Sequence, residues 1–348
     1  MTAGELRARR AAAQRLDRPG AAGPADLVRA LLAVQAQDAR AARLALRARQ
    51  AGLDPAVVDT SVSDDRSLVV AWLMRGTLHL VAREDHAWLL GLAAPRQEAG
   101  SARRLAQEGV PSGDAERALA VVERALAGDG PLTRAELGAR IAEAGVRSEG
   151  QALPHLLALA ARRGIAVHGP VAAGEQRFAL ARDWLGAVPA VPLAGAARDT
   201  ALAELARRYL AAHGPATAAD LAAWAGLPLR DARAGLSAIA SELVEREDGL
   251  VHLAKHIPVA EIPTPRLLGA FDPVLLGWTS RERILGPHTH LVTMNGIFRP
   301  FALVKGRAAA NWKLERGRVA IEPLGRVTKQ AMTSLEADAA DVERFIAG

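Results

Sequence analysis

Three times along this chain a Gly-Pro pair opens a helical segment that runs on to a second helix and then to two short strands. The pairs are Gly23-Pro24, Gly130-Pro131 and Gly214-Pro215. Helix, helix, helix, β-hairpin is the order of a winged helix-turn-helix, and a repeated order means a repeated supersecondary unit. After the first pair come strand-like runs at 65–72 and 75–83. After the second come a helix at 153–161 and strands at 165–167 and 177–182, joined through Gly169-Pro170 and Gly174. After the third come a helix at 229–239 and strands at 243–247 and 250–255. The closing strands echo one another: Leu-His-Leu-Val-Ala-Arg, Phe-Ala-Leu-Ala-Arg and Val-His-Leu-Ala-Lys. Asp248-Gly249 between apolar alternation predicts a two-residue hairpin turn. Thr133-x-x-Glu136 and Thr217-x-x-Asp220 are capping signals, only the first a strict capping box; the first copy lacks the Thr.

The remaining segments are plainer. Arg7, Arg9, Arg10, Arg15 and Arg18 stand against Glu5 and Asp17 in a short helix expected to end near Arg18-Pro19-Gly20 and to present a solvated basic face. Residues 83–127 read as helical, 187–197 as a linker, and 201–212 as a helix carrying Arg207, Arg208 and Tyr209. Beyond the spacer Ile262-Pro-Thr-Pro265, the pairs Asn295-Gly296, Lys305-Gly306 and Arg316-Gly317 punctuate alternating runs at 297–304, 308–314 and 319–324, a sign of antiparallel strands. A helix at 334–347 closes the chain. The expected fold is α+β: three tandem winged helix-turn-helix motifs and a small β-rich C-terminal domain, divided as 1–95, 96–190, 191–260 and 261–348.

Composition removes many chemistries. The 348 residues include no cysteine, which excludes disulfides, thiolate metal sites and a Cys nucleophile together. No phosphate-binding loop, zinc-protease helix or serine nucleophile elbow occurs. His252 and His256 are four apart but straddle the end of a wing, and His288 and His290 read as a solvated loop pair, so no metal and no cofactor is expected. Aromatic residues make up 3% of the chain, too few for a platform that stacks single-stranded bases. No apolar run reaches the ~18–20 residues of a membrane span, and the start lacks an apolar signal region, so a soluble cytoplasmic protein is expected. The net charge of +6 comes mostly from Arg, whose planar guanidinium suits phosphate.

Polar chemistry gathers where the first repeat ends its helix. Leu27, Leu31, Leu32 and Val34 form a buried stripe. Gln35, Gln37 and Asp38 then place two amides and a carboxylate within four residues. On a regular helix, positions two apart lie about 200° around the axis. Either the helix ends near Val34 and both amides lie in an extended turn, or only one of them faces a cleft. Arg75, Thr77 and His79 alternate and are expected to share one strand face. Arg162-Arg163 and Arg207-Arg208 suit phosphate. Asp272 with Arg281 and Arg283 reads as a structural ion pair.

Gln35-Ala-Gln37, together with Trp72-Leu-Met-Arg75-Gly76-Thr77-Leu78-His79-Leu80-Val81, resembles the AlkZ/YcaQ family of winged-helix DNA glycosylases. Arg208-Tyr209-Leu210, Gly214-Pro215-Ala-Thr217, Asp220-Leu-Ala-Ala-Trp224 and Phe271-Asp272-Pro273 extend the likeness over about residues 5–325. The resemblance implies a C-shaped cradle for duplex DNA and excision of alkylated purines, crosslinked ones included. It also implies a Gln-hydrophobic-Gln motif, which Ala36 meets with a small apolar residue; Gln37, where the other branch has Asp, places the chain on the AlkZ side. On that reading Gln37 positions water, Gln35 orients the water or the sugar, and Asp38 and His79 assist. The basic and polar residues assigned to DNA are Arg40, Arg75, Thr77, Arg83, Arg162, Arg163, Arg207, Arg208 and Lys255. The expected partner is duplex DNA carrying alkylated bases, gripped by a monomer. The alternatives are a non-catalytic winged-helix regulator and, with less support, a small-molecule hydrolase using the β-rich domain.

Overall fold

The computed structural model describes residues 2–17, 23–172, 175–186, 191–255, 264–293 and 295–348. The expected helix end at Arg18-Pro19-Gly20, Gly174 of the second wing, residues 187–190 of the linker, His256, and Ile262 and Pro263 of the spacer lie outside the described residues.

The elements run, in order, α1 (Ala3–Ala13), α2 (Pro24–Leu31), β1 (Val34–Gln35), α3 (Ala39–Arg47), α4 (Pro55–Ser63), β2 (Leu68–Trp72), β3 (Leu78–Ala82), α5 (Arg83–Gln107), α6 (Ser112–Asp129), β4 (Leu132–Thr133), α7 (Arg134–Glu143), α8 (Ala152–Arg162), β5 (Ala166–Ala172) and β6 (Glu175–Leu180). They continue with α9 (Ala181–Leu185), α10 (Gly195–His213), α11 (Ala218–Ala225), α12 (Leu229–Ala238), β7 (Leu243–Glu245), β8 (Val251–Leu253), β9 (Arg266–Leu268), α13 (Pro273–Leu276), α14 (Glu282–Leu285), β10 (Phe301–Val304), β11 (Arg307–Glu315), β12 (Arg318–Pro323) and α15 (Lys329–Ala347). The order helix, strand, helix, helix, hairpin therefore recurs as α2-β1-α3-α4-β2-β3 and as α6-β4-α7-α8-β5-β6. It recurs a third time as α10-α11-α12-β7-β8, with an isolated bridge from Ala216 to Val251 in the strand's place.

This alignment corrects the repeat read from the sequence. Gly130-Pro131 and Gly214-Pro215 precede the second helix of their copies, whereas Gly23-Pro24 starts the first helix of its own. Pro24 stands at the first helical position of α2, whereas Pro131 and Pro215 lie ahead of the caps of α7 and α11. The counterpart of Leu132-Thr133 in the first copy is Val34-Gln35. The boundary expected at 95/96 falls inside α5, and α10 begins within the expected linker.

Caps explain the helix starts. Thr2 with Glu5 and Thr133 with Glu136 form reciprocal capping boxes. Asp220, one methylene shorter, does the same: Asp220 N–H donates to Thr217 Oγ1 (3.1 Å) and Thr217 N–H to Asp220 Oδ2 (3.0 Å), so the box expected only for Glu136 is complete here too. The third wing departs from a two-residue turn. Arg246 N–H donates to Leu250 O and Gly249 has φ +73°, so three residues, Glu247 to Gly249, make the loop with glycine in its left-handed position.

The chain folds into two compact units. One comprises Met1–Val58, Leu202–Trp224 and Pro228–Gly348; the other comprises Asp59–Ala201 and Ala225–Leu227. In the first, β12-β11-β10-β9 form an antiparallel sheet covered by α15, with Phe301, Leu335, Val342 and Phe345 buried. Tyr209, His213, Trp224 and Trp278 pack ring on ring beside it. Arg49, fully buried, is held by Asp272 through both carboxylate oxygens (2.8 and 2.9 Å), by Gln14 O (2.8 Å) and by Ala45 O (2.8 Å). Asp272 thus pairs with Arg49, not with Arg281 or Arg283 as expected. In the second unit, β3-β2-β5-β6-β4 lie side by side, and Leu119, Leu137, Ile141, Leu156 and Phe178 fill the core over β6.

Candidate active site

In the first unit, α2 stops at Leu31 because Leu32 adopts φ +68°, a left-handed value that costs a branched residue about 1–3 kcal/mol. Complete burial of the Leu32 side chain offsets this by about 2 kcal/mol. Leu31, Ala33 and Val34 are buried as well, so the backbone leaving the helix is anchored on both sides of the bend. Val34-Gln35 is extended, residues 37–38 bend, and Asp38 caps α3 by accepting from Ala41 N–H at 3.0 Å. The helical objection to a paired role for Gln35 and Gln37 therefore does not apply: both lie in an extended turn between two helices. Gln35 is 8% exposed and buried, whereas Gln37 and Arg40 are exposed.

The first wing lies in the second unit. Here β2 and β3 pair from Leu68↔Ala82 to Trp72↔Leu78 and are joined by Leu73 to Thr77. Leu73 N–H donates to Thr77 O, and Thr77 Oγ1 donates to Met74 O (3.2 Å). Arg75 (φ +56°) and Gly76 (φ +75°) are both left-handed. The expected single face of Arg75, Thr77 and His79 is thus corrected: Arg75 sits in a one-turn helix and only His79 in the strand, because period-two alternation begins at Leu78. Arg75 is exposed, and His79 is only 2% exposed. Burial, reinforced by the Arg75 charge, pushes the His79 pKa down to about 3, so the ring is neutral near pH 7. Its Nδ1 lies 3.0 Å from Thr77 O. A carbonyl can only accept, so Nδ1 carries the proton and Nε2 is the acceptor.

A long-range hydrogen bond from Gln97, itself held by Arg162, braces this turn. Gln97 of α5 donates to Leu73 O (2.6 Å) and accepts from Arg162 Nε (3.0 Å), and Arg162 also donates to Ser101 Oγ. Both Gln97 and Gly226, which abuts Arg75, escaped the sequence reading. Neither carries a local signal, since one is a polar residue on a helix and the other one of many turn glycines.

The remaining cations divide by their partners. Arg163 pairs with Glu98 and Glu116, and Arg207 with Glu204 (2.6 Å) and Glu242 (2.8 Å), so each guanidinium already meets carboxylates in the free protein. Arg83 donates twice to Leu185 O, and Arg208 donates to Arg29 O (2.7 Å). Lys255 is exposed and, with Arg9 and His252, lines a cavity of about 240 Å³ against Leu210 and Pro215. No group of three or more His, Asp or Glu able to hold a metal occurs among the described residues, and no helix there is long and apolar enough to cross a membrane.

Winged helices in series define a DNA-binding class of fold. Residues 28–345 match the family of AlkZ-like DNA glycosylases, and the chain belongs to that family: it is a DNA glycosylase, with DNA as its substrate. Among solved structures, Streptomyces sahachiroi DNA glycosylase AlkZ is similar, with 27% sequence identity and a TM-score of 0.82 over 100% of this chain and 97% of that one. No curated protein matches the chain.

Proposed function

We propose that the protein hydrolyses the N-glycosidic bond of N7-alkylated purines in duplex DNA, crosslinked bases included, as a monomer using Gln35 and Gln37. The observation that supports this most is the extended turn, which brings both amides out of a helix end onto an anchored backbone, with Gln37 at the surface. Alkylation at N7 leaves the purine cationic, so it departs without a strong general acid. The water oxygen bonds to C1′ of the sugar while the C1′–N9 bond breaks. The electron pair leaves with the base and cancels its charge, and the water's proton passes to solvent.

An amide cannot take that proton, but its carbonyl oxygen accepts from water and fixes the attack direction. Gln37 holds the water and Gln35 orients it. Asp38, with Oδ1 on the cap of α3, offers its carboxylate charge to the positive charge that develops on the sugar. Exposed Arg40 contacts a backbone phosphate; in the other unit exposed Arg75 does the same, with the neutral, buried His79 holding the turn through Thr77 O. The test is single-turnover base release from duplex DNA containing N7-methylguanine. Gln37→Ala is expected to slow release by about 10²-fold, the scale of one preorganised polar contact. Unchanged release defeats the catalytic role. Tight DNA binding by the wild type without release of any alkylated base points instead to a regulator.

A further inference from the structure

Within the first unit, three arginines from three separate stretches converge without an acid between them: Arg7 on α1, Arg283 on α14 and Arg307 at the start of β11. Arg7 is locked in place. Its Cβ lies 3.1 Å and its Cδ 3.6 Å from where a β-carbon on Gly306 would stand, so the side chain lies flat on the tight Lys305-Gly306 turn that presents Arg307. Helix α1 also packs on α14, and α14 on β11. The Arg7 Nε is buried and has no hydrogen-bond acceptor, and both Arg283 and Arg307 repel its charge. No ion pair joins any of the three to a carboxylate among the described residues. Elsewhere in the same unit, carboxylates meet Arg47, Arg49, Arg207, Lys313 and Arg318. The neighbouring Arg10 is also satisfied, by Pro215 O (3.1 Å) and the Trp278 ring.

Like charges held together without a counter-charge raise the energy of the free protein, and an arriving anion relieves that repulsion. A guanidinium whose stem is held still by packing is also preorganised for a phosphate oxygen. We propose that Arg7, Arg283 and Arg307 form a cradle for a backbone phosphate of the DNA substrate, a contact separate from the amide turn. The inference rests on DNA being the substrate, not on which residue performs the chemistry. Phosphate contacts position the duplex and carry the salt dependence of binding.

The experiment measures affinity for an undamaged duplex across a salt series, with thermal unfolding as a folding control. Substituting R7Q, R283Q and R307Q together is expected to flatten the plot of log affinity against log salt by roughly 0.9 for each phosphate that is no longer neutralised, and to weaken binding about tenfold or more at 0.1 M salt. Arg283→Gln alone, at an exposed position, should flatten the slope in a fully folded protein. Arg182→Gln, which removes a cation already paired with Glu123, should leave it unchanged. An unchanged slope in folded variants overturns the cradle, as does inorganic phosphate protection of the trio without any change in DNA affinity. Neither result touches the role of Gln37, which stands or falls on base release.

Discussion

A β-carbon on Gly226 would lie 2.9 Å from the backbone nitrogen of Arg75 and 3.2 Å from its Cα. Gly226 also has φ +69°, which a side chain adopts only with strain. The left-handed turn of the first wing is therefore wedged between this glycine and the Gln97–Arg162 pair. Gly226→Ala is expected to lower stability by about 1–3 kcal/mol in urea unfolding. Base release should fall further than the folded fraction does, because the Arg75 turn is displaced.

Gln35 and Gln37 should separate in their phenotypes. Gln35 is buried, so Gln35→Ala is expected to cost about 1–3 kcal/mol of stability as well as activity. Gln37 is exposed, so Gln37→Ala should unfold at the wild-type temperature while losing base release. Calorimetry alongside single-turnover assays checks both; a large drop in melting temperature for Gln37→Ala alone contradicts this assignment.

Three of the buried histidines, His79, His86 and His168, predict an acid-sensitive fold. Burial pushes His79 down to about 3 and His86 and His168 to about 4, with Arg75 and Arg134 adding to the effect at His79 and His168. Each imidazole binds its proton more readily in the unfolded chain, whose pKa is about 6.5. Their contribution to stability is therefore flat above about pH 7 and declines as pH falls from 6.5 toward the folded values, by up to about 1.4 kcal/mol per pH unit for each residue. Both ring nitrogens of His86 are buried without partners, so His86→Leu should flatten the decline by about one proton in denaturation series from pH 7.5 to 5. A pH-independent stability would contradict this.

The Arg49–Asp272 pair is fully buried. Asp272→Ala leaves the guanidinium without its counter-charge, removes the cap on α13, and is expected to cost about 3–5 kcal/mol. Arg49→Met combined with Asp272→Ala should recover part of that loss, because no uncompensated charge remains. Urea midpoints of the two single variants and the double variant measure the coupling.

What could be read from the chain was whatever is local. Hairpins, caps and apolar periodicity placed the winged-helix order and the C-terminal sheet within a few residues, because turn residues and helix starts are decided by immediate neighbours. The offset of the first repeat went unseen because a Gly-Pro pair serves equally before either helix. Charge partners were equally hidden. Arg163 meets Glu98 and Arg207 meets Glu242 across tens of residues, and nothing in either dipeptide announces it. Alternation also failed to warn that His79 would be interior, since it gives a side chain's face but not what covers that face. The helix end at Gln35 was one of two stated possibilities, and the backbone of Leu32 decided between them.

The clasp on Arg49 bears on where this protein can be cut. The segment matching the family begins at residue 28, yet Gln14 supplies two of the oxygens around that guanidinium, and Leu6, Arg10 and Leu16 are interior. A truncation drawn at the family's edge would strip the amide turn's unit of its own lining and leave a shielded ion pair short of acceptors, so an expression fragment that begins there should be recovered as aggregate rather than as a smaller enzyme.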